Sequence, residues 1–447
     1  MGKRLIVIGS GPGGHRSAVL GTEEGFHVIL VEKDVVGGVC TNTGCIPSKS
    51  LLSGAELIDS IRGAGRKGID VDLKDVDVTK LGKVKDRAVK TSRMGVEREL
   101  KEKGVELITG TARITGENSV EVEGETITGD HIIIATGSTP VQLPFLEVDE
   151  KNVLTNKGAL ALEDAPESLL IIGGGYIGVE MAFIYSSLGT SVTVVELMDR
   201  LLPNMDRDLG VEAEGMLKKK GVKVLKGTKV TSVGGSGPFK VSTDGEKAGE
   251  WEFRKILCAV GRKPSPPETD RDIIDEKGNV ITDDHMRTPV KGIFAVGDVT
   301  GKGMLAHTAY HQARIAVDTM VGKPSPGFST YPVPAGVFTH PEIASVGLSE
   351  EQAREKYGDV VCASHPISAL GRGYSTGERT GFAKLVCSGK EVVGMHLICP
   401  GATDIIMEAT MGMMKGMTYE DLVDTIHPHP TYSEAIQEAA RNLSSNP

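Results

Sequence analysis

The chain has 447 residues, 39% of them hydrophobic and 25% charged, with a net charge of −10, enough for about three domains. Such an acidic balance offers nothing to nucleic acid or an anionic membrane. No apolar run reaches transmembrane length. The apolar run Arg4–Gly9 starts too early to leave room for a targeting segment, so a cytoplasmic protein is expected. Six cysteines in so long a chain exclude a disulfide-stapled framework, and in a reducing compartment a disulfide is usually catalytic.

In chain order, the first element is a strand from Arg4. The turn Gly9-Ser10-Gly11-Pro12-Gly13-Gly14 follows, then a helix and the strand His27–Glu32. In this pattern the first glycine makes the turn and the second admits a pyrophosphate. The third packs helix on strand, and the terminal acid meets ribose hydroxyls. The run Gly37 to Lys49 holds Cys40 and Cys45, five residues apart. An ideal helix would separate their α-carbons by roughly 8.7 Å, too far for a disulfide. Gly44 can distort and Pro47 cannot donate to residue 43, so the segment reads as a loop and deformed helix start that brings the sulfurs together. An inert pair and a redox pair both stay open on these residues alone. A zinc site needs a second pair, and Cys258, Cys362, Cys387 and Cys399 are scattered. No metal ligand set is expected.

The first pattern recurs as Leu169–Ile172, Gly173-Gly174-Gly175-Tyr176-Ile177-Gly178 and Ser191–Glu196, at an offset of 164 residues for both the first glycine and the acid. Two copies with strand, helix and acid in place make two dinucleotide sites. Asp130–Gly137 and Arg254–Gly261 repeat as apolar strands ending at glycine, and Gly292–Asp298 closes on a Gly-Asp pair suited to a ribityl or ribose hydroxyl. Lys218–Lys220 reads as a solvated helix end. Beyond residue 330 there is no nucleotide motif, and strands such as Phe382–Cys387 and Glu391–Ile398 suggest an α+β unit. Near the end, Thr431 and Glu434 form a capping box for a helix starting at Tyr432. On the sequence alone the box outweighs a His429–Glu434 pair, in which the carboxylate would orient a proton-transferring imidazole.

These segments together resemble the flavin-dependent pyridine nucleotide-disulfide oxidoreductases, and within them the dihydrolipoamide dehydrogenase branch. The residues carrying this are Gly37–Lys49, Ala135–Gly137, Gly173–Glu180, Gly297-Asp298 and His427–Glu434. The resemblance covers nearly the whole chain. It implies an α/β fold of two Rossmann-like dinucleotide-binding domains, for FAD and NAD, plus a C-terminal α+β dimerisation domain. The expected division is 1–147 (FAD), 148–267 (NAD), 268–327 (completing the FAD domain) and 328–447 (interface). It also implies a homodimer that oxidises dihydrolipoamide, carried on a lipoyl domain, and reduces NAD.

The resemblance places FAD on Gly9, Gly11, Pro12, Gly13, Gly14, Glu32, Lys33 and Gly38, then on Lys49, Ala112, Thr136 and Gly137, and finally on Gly297, Asp298, Met304, Leu305, Ala306 and His307. It places NAD on Gly173, Gly175, Tyr176, Ile177, Gly178, Glu196, Val230 and Gly261. Glu196 favours NAD over NADP because a carboxylate repels a 2′-phosphate, with Arg200 the one nearby cation. Cys45 is implied as the flavin-side sulfur and Cys40 as the one that meets substrate. Lys49 would pair with Glu180 beside the flavin, and Tyr176 would cover it. His429, oriented by Glu434, would act as base from the second subunit, and the resemblance thus favours the pair over the cap. Two alternatives are another NAD(P)H-dependent disulfide reductase and a non-catalytic flavoprotein scaffold or sensor. His15-Arg16 departs from the family, where an aromatic and a small residue are frequent.

Overall fold

A computed structural model describes residues 3–445. It divides into two compact units. One joins the chain up to Leu51 with Thr79–Val141 and Gly261–Tyr331, and the other joins Leu52–Val78, Gln142–Val260 and the chain from Pro332 onward. No helix among the described residues is long and apolar enough to cross a membrane.

The first unit is built on a five-stranded parallel sheet in the order 293–295, 131–134, 4–8, 27–32, 106–109. After Arg4 its central strand reads Leu5-Ile6-Val7-Ile8, with no polar residue, because both faces are covered there. Side chains alternate between those faces. Leu5 and Val7 join the core that includes Ala18 of the fingerprint helix and Ile315 and Ala316 of the helix Ala306–Met320. Ile6 and Ile8 join Ile114, Val120 and Val122 of a small four-stranded sheet.

The second unit repeats the plan. Its parallel sheet runs 223–225, 191–195, 168–172, 255–258, 153–154, covered on one face by the antiparallel ladder 228–234, 239–245, 249–253. The backbone correspondence is close: Gly9 N donates to Val31 O and Gly173 N to Val195 O, each at 2.8 Å. A third, five-stranded antiparallel sheet (335–337, 342–347, 391–399, 382–388, 361–366) packs against the helix Glu434–Ser445. Two Rossmann-like sheets and a C-terminal α+β segment agree with the expected fold class.

Three local expectations need correction. The last helix begins at Glu434, not Tyr432. Lys220 is not a solvated helix end: its ammonium bonds Asp59 and donates to Ser187 Oγ at 2.9 Å. Arg200 is not the one nearby cation, because Arg207, at the start of the helix Arg207–Lys219, also lies 3.0 Å from Asp199.

Within the second unit, Lys384 of the C-terminal sheet is buried among Asp206 (3.0 Å), Asp208 (2.6 Å) and Glu350 (2.9 Å). Burial pushes its ammonium down, but these three carboxylates outweigh it and the net shift is upward. Removing one partner of a buried cluster strands the rest. Lys384→Met is therefore expected to lower unfolding free energy by about 3 kcal/mol, measured by chemical denaturation.

Beside it, His396 is fully buried, with Nε2 3.1 Å from Leu348 O and Nδ1 2.8 Å from Ser345 Oγ. A carbonyl only accepts, so Nε2 carries the proton and Nδ1 accepts from the serine hydroxyl. Burial pulls its pKa from 6.5 down to about 4. The unfolded chain thus takes up a proton that the folded one refuses, and this contribution is present above pH 6.5 and lost as pH falls toward 4. Denaturation curves are expected to show stability declining across that window by up to about 1.4 kcal/mol per pH unit. His396→Asn is expected to flatten the slope.

Candidate active site

Two close backbone approaches shape the fingerprints. A side chain at Gly14 would overlap the Gly9 carbonyl oxygen, and one at Gly178 the Gly173 carbonyl oxygen. In contrast, a methyl at Gly11 or Gly175 would meet nothing within 4 Å. Helix and turn are thus in backbone contact while the second glycine faces open space, as a bound pyrophosphate requires. The helices Pro12–Glu23 and Tyr176–Ser187 begin at these turns, with Gly13 packed on Val296 and Ala309.

The two acids make equivalent bonds. Glu32 accepts from Ser10 N (2.8 Å) and Asp34 N (2.9 Å), and Glu196 from Gly174 N (2.6 Å) and Met198 N (2.7 Å). Each closes its turn onto the following strand. Lys33 beside Glu32 is exposed, and Ala112 is buried in the small sheet. Thr136 Oγ1 and Thr308 Oγ1 are buried with no hydrogen-bond partner in the described residues. The orphaned Thr136 hydroxyl, on a residue packed against the Gly9 turn, fits a bound dinucleotide in the first unit.

Met304 is exposed, Leu305 caps the helix Ala306–Met320 and His307 lies in its first turn. Gly297 donates its amide to buried Gln312 at 2.7 Å. Val230 sits in the second unit's core, where the strand ladder shifts register after it. Tyr176 and Ile177 open the second fingerprint helix, and burial pushes the Tyr176 phenol up.

Between the two cysteines the helix is broken. Gly38–Thr43 and Cys45–Gly63 are separate helices, with Gly44 at φ −141°, ψ −109°. A methyl at Gly44 would lie 2.9 Å from Val39 O and 3.3 Å from the Cys40 α-carbon. Its absence lets Cys45 reach Cys40. Gly38 in turn packs on the Gly11 backbone, fixing the pair beside the first fingerprint.

The hydrogen bond to Cys45, burial and the Cys45 charge push the Cys40 thiol up, while the Lys49 ammonium draws it down. Cys40 therefore resists ionisation beside its partner sulfur. Lys49 lies on the same helix as Cys45, one turn on. Glu180 is buried in the second unit and accepts from Phe338 N at 3.0 Å.

Sequence reasoning missed three residues around the pair. Arg262 donates from Nε to Ser138 Oγ (2.8 Å) and from its terminal nitrogen to Ser138 O (2.6 Å), and Ser138 Oγ donates to Asp298 at 2.5 Å. Burial pushes this guanidinium down, opposed by Asp298 and then by the charge on Cys45. It is a fixed cation favouring a thiolate there. Tyr310 is the third. Burial raises its phenol, and the charges of Cys40 and Cys45 raise it further. Ser138 and Arg262 directly follow Gly137 and Gly261, the matching glycines of the repeat, and that correspondence was a usable signal.

At the other end of the chain, His429 Nδ1 lies 2.8 Å from Glu434 Oε1 and the imidazole is 73% exposed. The carboxylate only accepts, so the proton sits on Nδ1 and the outward Nε2 is the basic nitrogen. Glu434 Oε2 accepts from Thr431 N at 2.7 Å. Burial pushes Glu434 up, but those two bonds hold it below the usual range. One carboxylate thus holds the imidazole and makes one half of the expected box, while Thr431 Oγ1 turns to Pro428 O at 2.7 Å instead of the Glu434 amide. His427 is occupied at both nitrogens, by Glu408 (2.9 Å) and Thr425 O (3.0 Å).

Comparison with known proteins agrees with this geometry. Residues 3–313 match the family model "Pyridine nucleotide-disulphide oxidoreductase", and residues 333–440 match the dimerisation domain of the same family. The chain is 38% identical to dihydrolipoyl dehydrogenase 2 of Haloarcula marismortui, covering 98% of this chain and 96% of that one. It is 39% identical to the dihydrolipoyl dehydrogenase of Thermus scotoductus, covering 98% and 97%. Among solved structures, LpdA from Mycobacterium tuberculosis superposes with TM-score 0.89 at 26% identity over 99% of each chain. The HOCl-induced flavoprotein disulfide reductase RclA from Escherichia coli superposes with TM-score 0.86 at 28% identity, over 98% of this chain and 99% of that one. With both nucleotide turns, the paired cysteines and the dimerisation segment in place, this chain belongs to the pyridine nucleotide-disulphide oxidoreductase family, as an FAD- and NAD-dependent enzyme.

Proposed function

We propose that the protein is a dihydrolipoyl dehydrogenase, oxidising dihydrolipoamide to lipoamide and reducing NAD. The observation carrying this reading is the Cys40–Cys45 contact across the Gly44 break, next to a fixed guanidinium, in a chain whose full-length relatives bear that name. FAD, when bound, supplies a carrier that takes two electrons from the dithiol and delivers them as hydride to NAD.

The chain's own groups do the sulfur chemistry. The catalytic cycle begins from a Cys40–Cys45 disulfide. His429 Nε2 takes the proton from one substrate thiol. The resulting thiolate attacks Cys40, forming a mixed disulfide and releasing Cys45 as a thiolate, which Arg262 favours electrostatically. The second substrate thiol then attacks the substrate sulfur of the mixed disulfide, closing the lipoamide disulfide; Cys40 leaves as a thiolate and takes up that second thiol's proton, while His429 keeps the first.

The protein acts as a cytoplasmic homodimer in which His429 serves the partner subunit's Cys40. The dimerisation-domain match and the exposure of the His429 ring support this. The lipoyl group is carried on a lipoyl domain of a multienzyme complex. The division into 1–147, 148–267, 268–327 and 328–447 belongs to the same proposal, supported by the three large sheets. Roles for Lys49 with Glu180, for Tyr176 and for the nucleotide contacts rest on the matching motifs. The likeness to RclA supports a second reading, reduction of a different disulfide.

Two outcomes follow. Cys40→Ser and Cys45→Ser are each expected to lower dihydrolipoamide:NAD turnover by at least about 10³-fold with flavin content unchanged. Retained turnover in either variant would sink the dithiol mechanism, and wild-type turnover confined to other disulfides would favour the second reading. His429→Gln is expected to cost about 10²- to 10⁴-fold in kcat. Direct transfer from NADH to a small artificial acceptor, which needs no thiol proton, is expected to survive in that variant.

A further inference from the structure

The segment after Glu196 carries an unusual amount of cancelled charge. Leu202 N donates to Gly174 O at 2.9 Å, so residues 197–202 fold back over the second fingerprint turn. Arg200 stands in that fold, its side chain only 17% exposed. One terminal nitrogen donates to Glu351 at 2.8 Å and the other lies 3.5 Å from Asp199. Its Nε is buried without a hydrogen-bond partner in the described residues. Arg207 contacts the same two acids, at 3.0 Å to Asp199 and 3.9 Å to Glu351. Two guanidiniums are thus neutralised by two carboxylates beside a nucleotide turn.

Glu351 comes from the C-terminal third and is held in place. It lies in the first turn of the helix Glu350–Tyr357, whose capping box is Ser349 with Gln352. The Glu350 amide donates to Asp206 Oδ2 at 3.0 Å, while Asp206 Oδ1 caps the helix Arg207–Lys219 by accepting from Asp208 N at 3.1 Å. One carboxylate locks two helix starts together, setting Glu351 opposite Arg200.

A 2′-phosphate is recognised by guanidinium donors next to the ribose acid. We propose that Glu351 is a specificity-determining residue that ties Arg200 in an ion pair and withholds it from a 2′-phosphate, keeping the second nucleotide site selective for NAD over NADP. The inference rests on the assignment of NAD to the second fingerprint. Glu196 repels the phosphate, and Glu351 removes the cation that would offset the repulsion.

The test is calorimetric titration of the FAD-loaded protein with NAD, NADP and 2′,5′-ADP, for wild type, Glu351→Gln, Glu351→Gln/Asp199→Asn and Glu351→Gln/Arg200→Ala. Glu351→Gln is expected to tighten NADP and 2′,5′-ADP binding by at least about fivefold and to leave NAD within about twofold. Asp199→Asn is expected to add to the gain, and Arg200→Ala to reverse it. Unchanged NADP affinity in Glu351→Gln and in the double variant with Asp199→Asn, with NAD still bound, overturns the tether alone. A wild type that binds no NAD overturns the nucleotide assignment, and the tether with it. Thermal melts of each variant separate a specificity change from loss of fold.

Discussion

Everything in this molecule depends on two sulfur atoms meeting where a regular helix would hold them apart. The break at Gly44 achieves this with a backbone conformation that leaves no room for a side chain against Val39 and Cys40. The packing of Gly38 on Gly11 then ties the cysteine segment to the first nucleotide turn. Loss of the pair's geometry would leave two competent nucleotide folds with no thiol chemistry. The environment divides the labour between the sulfurs, because a buried, hydrogen-bonded dithiol ionises one member far more readily than the other.

The duplicated sheets supply a rigid frame. Each acid binds one amide of its fingerprint turn and one amide two residues beyond itself, so the frame is pre-organised. The C-terminal sheet adds a different kind of order. Lys384, Asp206 and His396 form a buried polar seam that joins it to the second nucleotide half of the same unit, and its cost is balanced by near-complete pairing.

The fingerprints, the broken cysteine helix and the C-terminal histidine were legible because each is local: a few residues at fixed spacing with one mechanical purpose. Tyr310 was not, because three-dimensional proximity to Cys45 leaves no mark within a short window, and Arg262 and Ser138 showed only in their shared place after the matching glycines of the repeat. Arg207 was overlooked for the same reason, since only folding brings it back to Asp199. The charge of Lys220 suggested solvent, but a carboxylate more than 150 residues away claims it. At Thr431–Glu434 two local rules competed, and the carboxylate keeps the imidazole and only half of the box, with the helix starting two residues later than the capping rule predicts.

That shared carboxylate has an evolutionary consequence. Glu434 serves the imidazole with one oxygen and the Thr431 amide with the other, so its reach is constrained from two directions. Aspartate is one methylene too short to keep both appointments, and glutamine can preserve one while presenting the wrong polarity to the other. Drift at this position is penalised twice, once in chemistry and once in architecture. It should therefore tolerate exchange far less readily than its modest place at a helix end suggests.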